Sequence, residues 1–148
     1  MPSPTRAADL ERVLTRAAEE CESKDGIWFG EGLPQTLREA IEARGRRTDA
    51  EPVAIAFVEA GASDQSKAPT AQCPVVALST SGLDVLASLI DAVSAKVARL
   101  ICADAVLDFT SDGVRVREIR HGLTAADLQK NVKSTLWAGP DLKELGSH

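Results

Sequence analysis

Residues 99–129, RLICADAVLDFTSDGVRVREIRHGLTAADLQ, constrain the fold more than any other stretch, because strand, turn and helix signals follow one another there without a gap. Val106, Leu107 and Phe109 close an apolar strand, and Thr110-Ser111-Asp112-Gly113 supplies turn chemistry. Val114 and Val116 then alternate with Arg115 and Arg117, the two-residue period of a strand with one buried face. This predicts a β-hairpin. Thr124 stands where an N-cap belongs, and Asp127 places a carboxylate near the positive end of the short helix that follows. The local order is strand, turn, strand, helix.

The rest of the chain is organised around that unit. Leu10, Val13, Leu14, Ala17, Ala18 and Cys21 recur at helical spacing with Pro4 at the start, which predicts a helix over about residues 4–22. Ile27, Trp28 and Phe29 form a short strand running into Gly30-Glu31-Gly32, and Pro34 opens a second helix with Leu37 and Ile41 on one face. Residues 53–58, VAIAFV, are continuously apolar, as a parallel strand covered on both faces requires. Residues 60–72 are small, polar and broken by Gly and Pro, a loop of the length that signals function or mobility. Residues 74–78 predict another buried strand, and Leu83, Leu86, Leu89, Ile90, Val93 and Val97 a third long helix.

Strand alternating with helix predicts an α/β domain: a largely parallel sheet flanked by helices, with the C-terminal β-hairpin and short helix at its side. The first helix, the strands at 27–29 and 53–58 and the third helix are expected to share one continuous aliphatic core. Leu14, Ile55, Phe57, Ile90 and Val93 are its expected buried members.

Composition narrows the function classes. The 148 residues suit one domain, taken as residues 1–145, with Gly146-Ser147-His148 read as the start of a purification tag. With 44% apolar and only 3% aromatic residues, the core must be aliphatic. Seventeen Lys and Arg against 22 Asp and Glu give a net charge of −5, which provides no basic field for nucleic acid. Cys21, Cys73 and Cys102 are odd in number and widely spaced, a pattern of neither a disulfide framework nor a zinc site, so no metal is expected. Reduced thiols in a cytoplasm are the expectation. No N-terminal apolar segment of signal-peptide type and no membrane-spanning run is visible.

Two colinear blocks resemble a known family. The run ADAVLDFTSDGVRVREI-x-x-GLTAADLQK, with the later Pro140-Asp141-Leu142-Lys143-Glu144, resembles the C-terminal segment of the β-type subunit of family I coenzyme A transferases, the 3-oxoacid (succinyl-CoA type) enzymes. Near the other end, Arg16-Ala17-Ala18-Glu19, Lys24-Asp25-Gly26 and Gly30-Glu31-Gly32-Leu33-Pro34-Gln35-Thr36 are similar to that family's R-x-A-x-E, K-D-G and G-I-G-[IL]-P-T. The middle does not match. Between Gly61 and residue 99 the family carries further strands and glycine-rich loops, so this chain resembles a shortened member with a CoA-transferase-like fold.

The resemblance implies a site. The family's S-E-N-G ends a strand with a glutamate that attacks an acyl-CoA thioester; Val58-Glu59-Ala60-Gly61 matches at Glu59 and Gly61, with Ala60 in place of the asparagine. Glu59 is thus the expected nucleophile, and Gly30, Gly32 and Gly61 the expected oxyanion donors. The physical logic is independent of the family: a carboxylate at the C-terminal edge of a parallel sheet, facing backbone N–H groups, is placed for nucleophilic attack. The alternatives are a surface glutamate at a strand end and glycines needed only for their turn, and Glu31 between the glycines is a charge that an anionic ligand would oppose. No permanently bound cofactor is implied; coenzyme A enters as part of the acyl-CoA substrate.

An α-type partner subunit or self-association is expected, and a non-catalytic β-like subunit that completes such a partner is the competing assignment. His121 suits a solvent-facing turn better than a general base, and Arg115, Arg117 and Arg120, with Lys67, fit either a CoA phosphate or a solvated strand face. Trp137 is expected to pack a terminal strand or a subunit interface.

Overall fold

In a computed structural model that describes residues 4–22, 26–46, 48–50, 52–60, 73–81, 86–92, 97–110, 113–120, 122–130, 132 and 136–145, the first helical pattern forms α1 (Pro4–Glu20). Val13 and Ala17 lie on its buried stripe, and Cys21 is buried one step beyond. The helix stops where Arg46 donates to the carbonyl of Cys21 at 2.6 Å, a cation at the negative end of the helix.

The strands are β1 (Ile27–Phe29), β2 (Ile55–Glu59), β3 (Val75–Leu78), β4 (Arg99–Ile101), β5 (Ala105–Thr110), β6 (Gly113–Arg120) and β7 (Leu136–Leu145). Among the described residues they form one seven-stranded sheet in sequence order, β1-β2-β3-β4-β5-β6-β7. β1 to β4 run parallel, β5 and β6 turn back antiparallel in succession, and β7 lies parallel to β6. Helix α2 (Leu33–Ala43) joins β1 to β2, α3 (Leu86–Ala92) lies between β3 and β4, and α4 (Ala125–Gln129) between β6 and β7. The chain therefore adopts the expected α/β architecture. No helix among the described residues is long and apolar enough to cross a membrane.

The core is not continuous, because residues alternate across every strand. Ile55, Phe57, Val76, Leu78, Ile101 and Val106 face α1 and α2, while Ala56, Val58, Val75, Ala77, Leu100 and Leu107 face α3 and α4. The sheet separates two apolar layers where one was expected. Phe57, fully buried, stacks on Phe29 with ring centroids 6.1 Å apart, the one aromatic pair in an aliphatic layer. Of the expected core residues, Ile55 and Phe57 are buried, Leu14 and Ile90 are only half-buried, packed against the two layers, and Val93 lies outside the described residues.

Three boundaries differ from expectation. β2 starts not at residue 53 but at Ile55, where the ladder register begins: Ile27 opposite Ile55, and Val75 opposite Ala56. Glu59 is thereby the last residue of the strand. Val97, expected on the third helix, is buried but non-helical on the approach to β4. The apolar run after Arg99 is two strands, not one, reversed at Cys102, Ala103 and Asp104, where the N–H of Cys102 donates to the carbonyl of Ala105 at 3.0 Å. The segment holds two hairpins in succession.

A charged layer fastens α1 to the antiparallel half of the sheet. Arg16 holds Glu118 on β6 at 2.6 to 2.9 Å through two of its nitrogens. Arg99 on β4 forks onto Asp108 of β5 at 2.5 and 3.0 Å and pairs with Glu20 of α1, while Arg117 meets the same Asp108 at 3.3 Å. Bidentate guanidinium–carboxylate pairs fix angle as well as distance, so this network sets how α1 crosses the strands. The hydrogen bond to Asp108 holds the Arg99 guanidinium above its ordinary pKa against the opposing effect of its own burial. Of the hairpin arginines, Arg117 and Arg120 are thus engaged with Asp108 and Asp104, while Arg115 is exposed.

Trp137 stands on the terminal strand β7 and is 56% exposed. It covers Gly113, where a Cβ would lie 3.3 Å from the indole nitrogen and where φ is +130°.

Candidate functional site

The site grows from the junction of β1, α2 and β2. After Phe29 the ladder continues one step, with the N–H of Gly30 donating to the carbonyl of Phe57 at 2.9 Å, and the chain then leaves the sheet. Gly32 makes the bend into α2 at φ +84° and ψ −129°, a combination open to glycine and strained for other residues. Pro34 follows in the first turn, where its missing N–H costs nothing. Gly32 is the N-cap of α2; its carbonyl accepts the N–H of Gln35 at 3.0 Å, but having no side chain it leaves the N–H of Leu33 without a local acceptor.

Glu59 supplies one. Alternation along β2 puts it on the same face as Ile55 and Phe57, toward α2, and its Oε1 accepts the N–H of Leu33 at 3.2 Å. The approach is close enough that a Cβ on Gly32 would lie 2.9 Å from Oε1 and 3.0 Å from Cδ of Glu59. Glycine is required there for the backbone angle, and a side chain would in addition push the carboxylate of Glu59 aside.

The structure thus brings together two of the four expected site residues, Glu59 and Gly32, while Gly30, two residues before the bend, is buried with its N–H donating to the carbonyl of Phe57. Gly61 lies outside the described residues, as do His121 and Lys67. Among the described residues, the carboxylate of Glu59 meets a backbone N–H and no arginine, which makes it an acceptor at the positive end of a helix. The thiols are poor alternatives: burial pushes that of Cys102 up to about 11 and raises that of Cys73, so neither is poised as a thiolate near neutral pH. Among the described residues no cluster of His, Cys, Asp or Glu has the arrangement of a metal site.

Two cavities lie elsewhere. One of about 350 Å³ sits at the opposite edge of the parallel strands, between Ile55, Val76, Phe109 and the Arg99–Asp108 pair. Another of about 280 Å³ lies between α1 and α2, lined by Leu10, Leu14, Ala18 and Ile41. Neither borders Glu59. Sequence reasoning missed the charged layer around Arg99, whose partners Glu20 and Asp108 lie on other elements; the only local signal was an acid opposite a base in adjacent strands.

No protein-family model matches the chain, and a search of curated proteins finds no match. Solved structures do share the fold. The Escherichia coli O157:H7 acyl-CoA transferase YdiF, in a thioester complex with CoA, superposes with a TM-score of 0.61 at 14% identity, over 91% of this chain. The chain spans 42% of the length of YdiF. The decarboxylase AibA/AibB gives 0.57 at 13% identity, over 95% of this chain and 89% of that one. Rhodococcus jostii RHA1 IpdAB gives 0.59 at 11%, over 95% and 89%. The fold is CoA-transferase-like; at these identities the likeness is one of fold alone.

Proposed function

We propose that this chain performs acyl-CoA chemistry of the coenzyme A-transferase type, with Glu59 as the nucleophile and the Gly30–Gly32 turn beside it. The observation that carries the proposal is the contact of the Glu59 carboxylate with the first N–H of α2, beside a glycine whose positive φ other residues rarely adopt. A nucleophile and the donors for its oxyanion must reach one carbonyl carbon, and what supports the reading is that the Glu59 carboxylate and the N–H of Leu33 meet at this junction at 3.2 Å.

In the transfer reaction a carboxylate oxygen of Glu59 attacks the thioester carbon and expels CoA as thiolate, leaving a mixed anhydride. The thiolate then attacks the glutamyl carbonyl, releasing the first carboxylate and forming a glutamyl-CoA thioester. An acceptor carboxylate reverses both steps and leaves with CoA, so Glu59 ends as it began. Hydrolysis of a thioester or of a carbon–carbon bond in a biosynthetic acyl substrate is the derived variant.

A second assignment has its own support. The two described cavities lie away from Glu59, and AibA/AibB is a protein of two named components. A partner subunit of α type belongs to the proposal, and a non-catalytic role completing that partner is the competing form. One experiment separates them. Incubation with acyl-CoA and then hydroxylamine or borohydride, with and without a co-purified partner, is expected to trap a modification at Glu59 that Glu59→Gln lacks. Trapping of the partner alone would assign this chain the non-catalytic role.

A further inference from the structure

The turn that meets Glu59 is gripped from behind by one side chain. Gln35, in the first turn of α2, directs its Nε2 amide at the carbonyls of Gly30 and Phe29, at 3.1 and 3.4 Å. Its backbone N–H donates to the carbonyl of Gly32 at 3.0 Å. A trans peptide points its C=O and N–H in opposite directions. Holding the Gly32 carbonyl toward Gln35 therefore sends the next N–H, that of Leu33, the other way, where Oε1 of Glu59 receives it at 3.2 Å. A peptide flanked by glycine rotates with little steric resistance, so a Gly-x-Gly turn keeps its N–H groups aimed only if something outside it holds the carbonyls.

We infer that the Gln35 side chain is the positioning group of this turn: it holds the carbonyls of Phe29 and Gly30, fixing the entry of the turn, so that the backbone bonds from Gln35 and Thr36 to the Gly32 carbonyl keep the Leu33 N–H on Glu59. The consequence for catalysis rests on the proposal that Glu59 is the reacting carboxylate. Gln35 touches no reacting atom and acts only through the backbone. Its position is otherwise undemanding, since it is exposed on the first helical turn, where most good helix formers would serve.

The test compares wild type with Gln35→Met and Gln35→Glu, which remove the donor at similar size, and Gln35→Lys, which keeps N–H donors on a side chain of comparable reach. Amide hydrogen exchange at Gly30 and Leu33 reads the grip directly, and hydroxylamine trapping in the presence of the partner reads the chemistry. Exchange is expected to rise about tenfold in the Met and Glu variants, the factor expected for loss of one or two exposed hydrogen bonds, and to stay near wild type in the Lys variant. The trapping rate at saturating acyl-CoA should fall in the same order with KM unchanged, and melting temperatures should coincide. Equal exchange in all four proteins overturns the inference; so does faster exchange with undiminished trapping. A wild type that traps nothing with any acyl-CoA defeats the acyl-transfer proposal instead, and exchange alone then decides whether Gln35 grips the turn.

Discussion

The starts of α2 and α4 solve one problem in opposite ways. Both helices must satisfy their first N–H groups, and both are entered through a glycine of positive φ, Gly32 at +84° and Gly122 at +91°. At α4 the answer is local: Thr124 accepts from the N–H of Asp127 at 3.2 Å, and Asp127 accepts from the N–H of Thr124 at 2.9 Å. This capping box is complete within four residues. At α2 the acceptor comes from Glu59 at the end of a strand, 26 residues beyond Leu33. A local cap stabilises a helix and does nothing else. A cap supplied by the sheet also installs an acid at a glycine turn, and only the second arrangement has the makings of an active site.

The largest expected effect comes from forcing a side chain into the distant cap. Gly32→Ala combines a forbidden backbone angle with a clash against Glu59 and should destabilise the protein by about 3 kcal/mol, measured by denaturant unfolding. Gly122→Ala meets nothing within 4 Å, so only backbone strain remains, about 1 kcal/mol. Equal losses at the two glycines would erase the difference between the crowded and the open entry.

Removing the acceptors comes next. Glu59→Ala and Thr124→Ala should each cost about 1 kcal/mol, as loss of an N-cap does. Glu59→Gln keeps a carbonyl oxygen for the Leu33 N–H and should stay within about 0.5 kcal/mol of wild type, while its trapped adduct disappears. A Gln variant that traps normally would move the chemistry away from Glu59.

The smallest effect is titration of the local cap. Asp127 lies below its ordinary value of 3.8, chiefly because the backbone N–H of Thr124 donates to its carboxylate, with the Thr124 side chain adding to it. A depressed folded value means the contribution is present above pH 3.8 and is lost as pH falls through the lower folded value. Amide exchange at Thr124 should accelerate only in that acid window, and in Asp127→Asn the pH step should vanish.

What the sequence could disclose follows the same division. Thr124 and Asp127 announced their helix because both halves of the cap lie within one turn, and the buried run ending at Glu59 announced a parallel strand by composition alone. The partnership of Glu59 with Leu33 was not visible as a hydrogen bond, since only the register of β1 on β2 brings the two elements level. The reversal between β4 and β5 was hidden because Cys102 and Ala103 are buried and carry no Gly or Pro punctuation. The charged layer was hidden for the same reason as the distant cap, for Arg16, Glu118, Arg99 and Asp108 acquire their meaning only across strands.

The unbroken strand order has a consequence for how the chain comes to its shape. Every strand pairs with its neighbour in sequence, so no slot is left open for a later segment to fill. Each new strand adds to an exposed rim, and the loop closed at each addition is only the connection just made, which keeps the entropic barrier to pairing low. During synthesis β1 and β2 can be in register while β7 is still inside the ribosome, and the advancing edge is occupied in turn by β2, β3, β4, β5 and β6. The nascent sheet grows in one direction, as a fabric does on a loom.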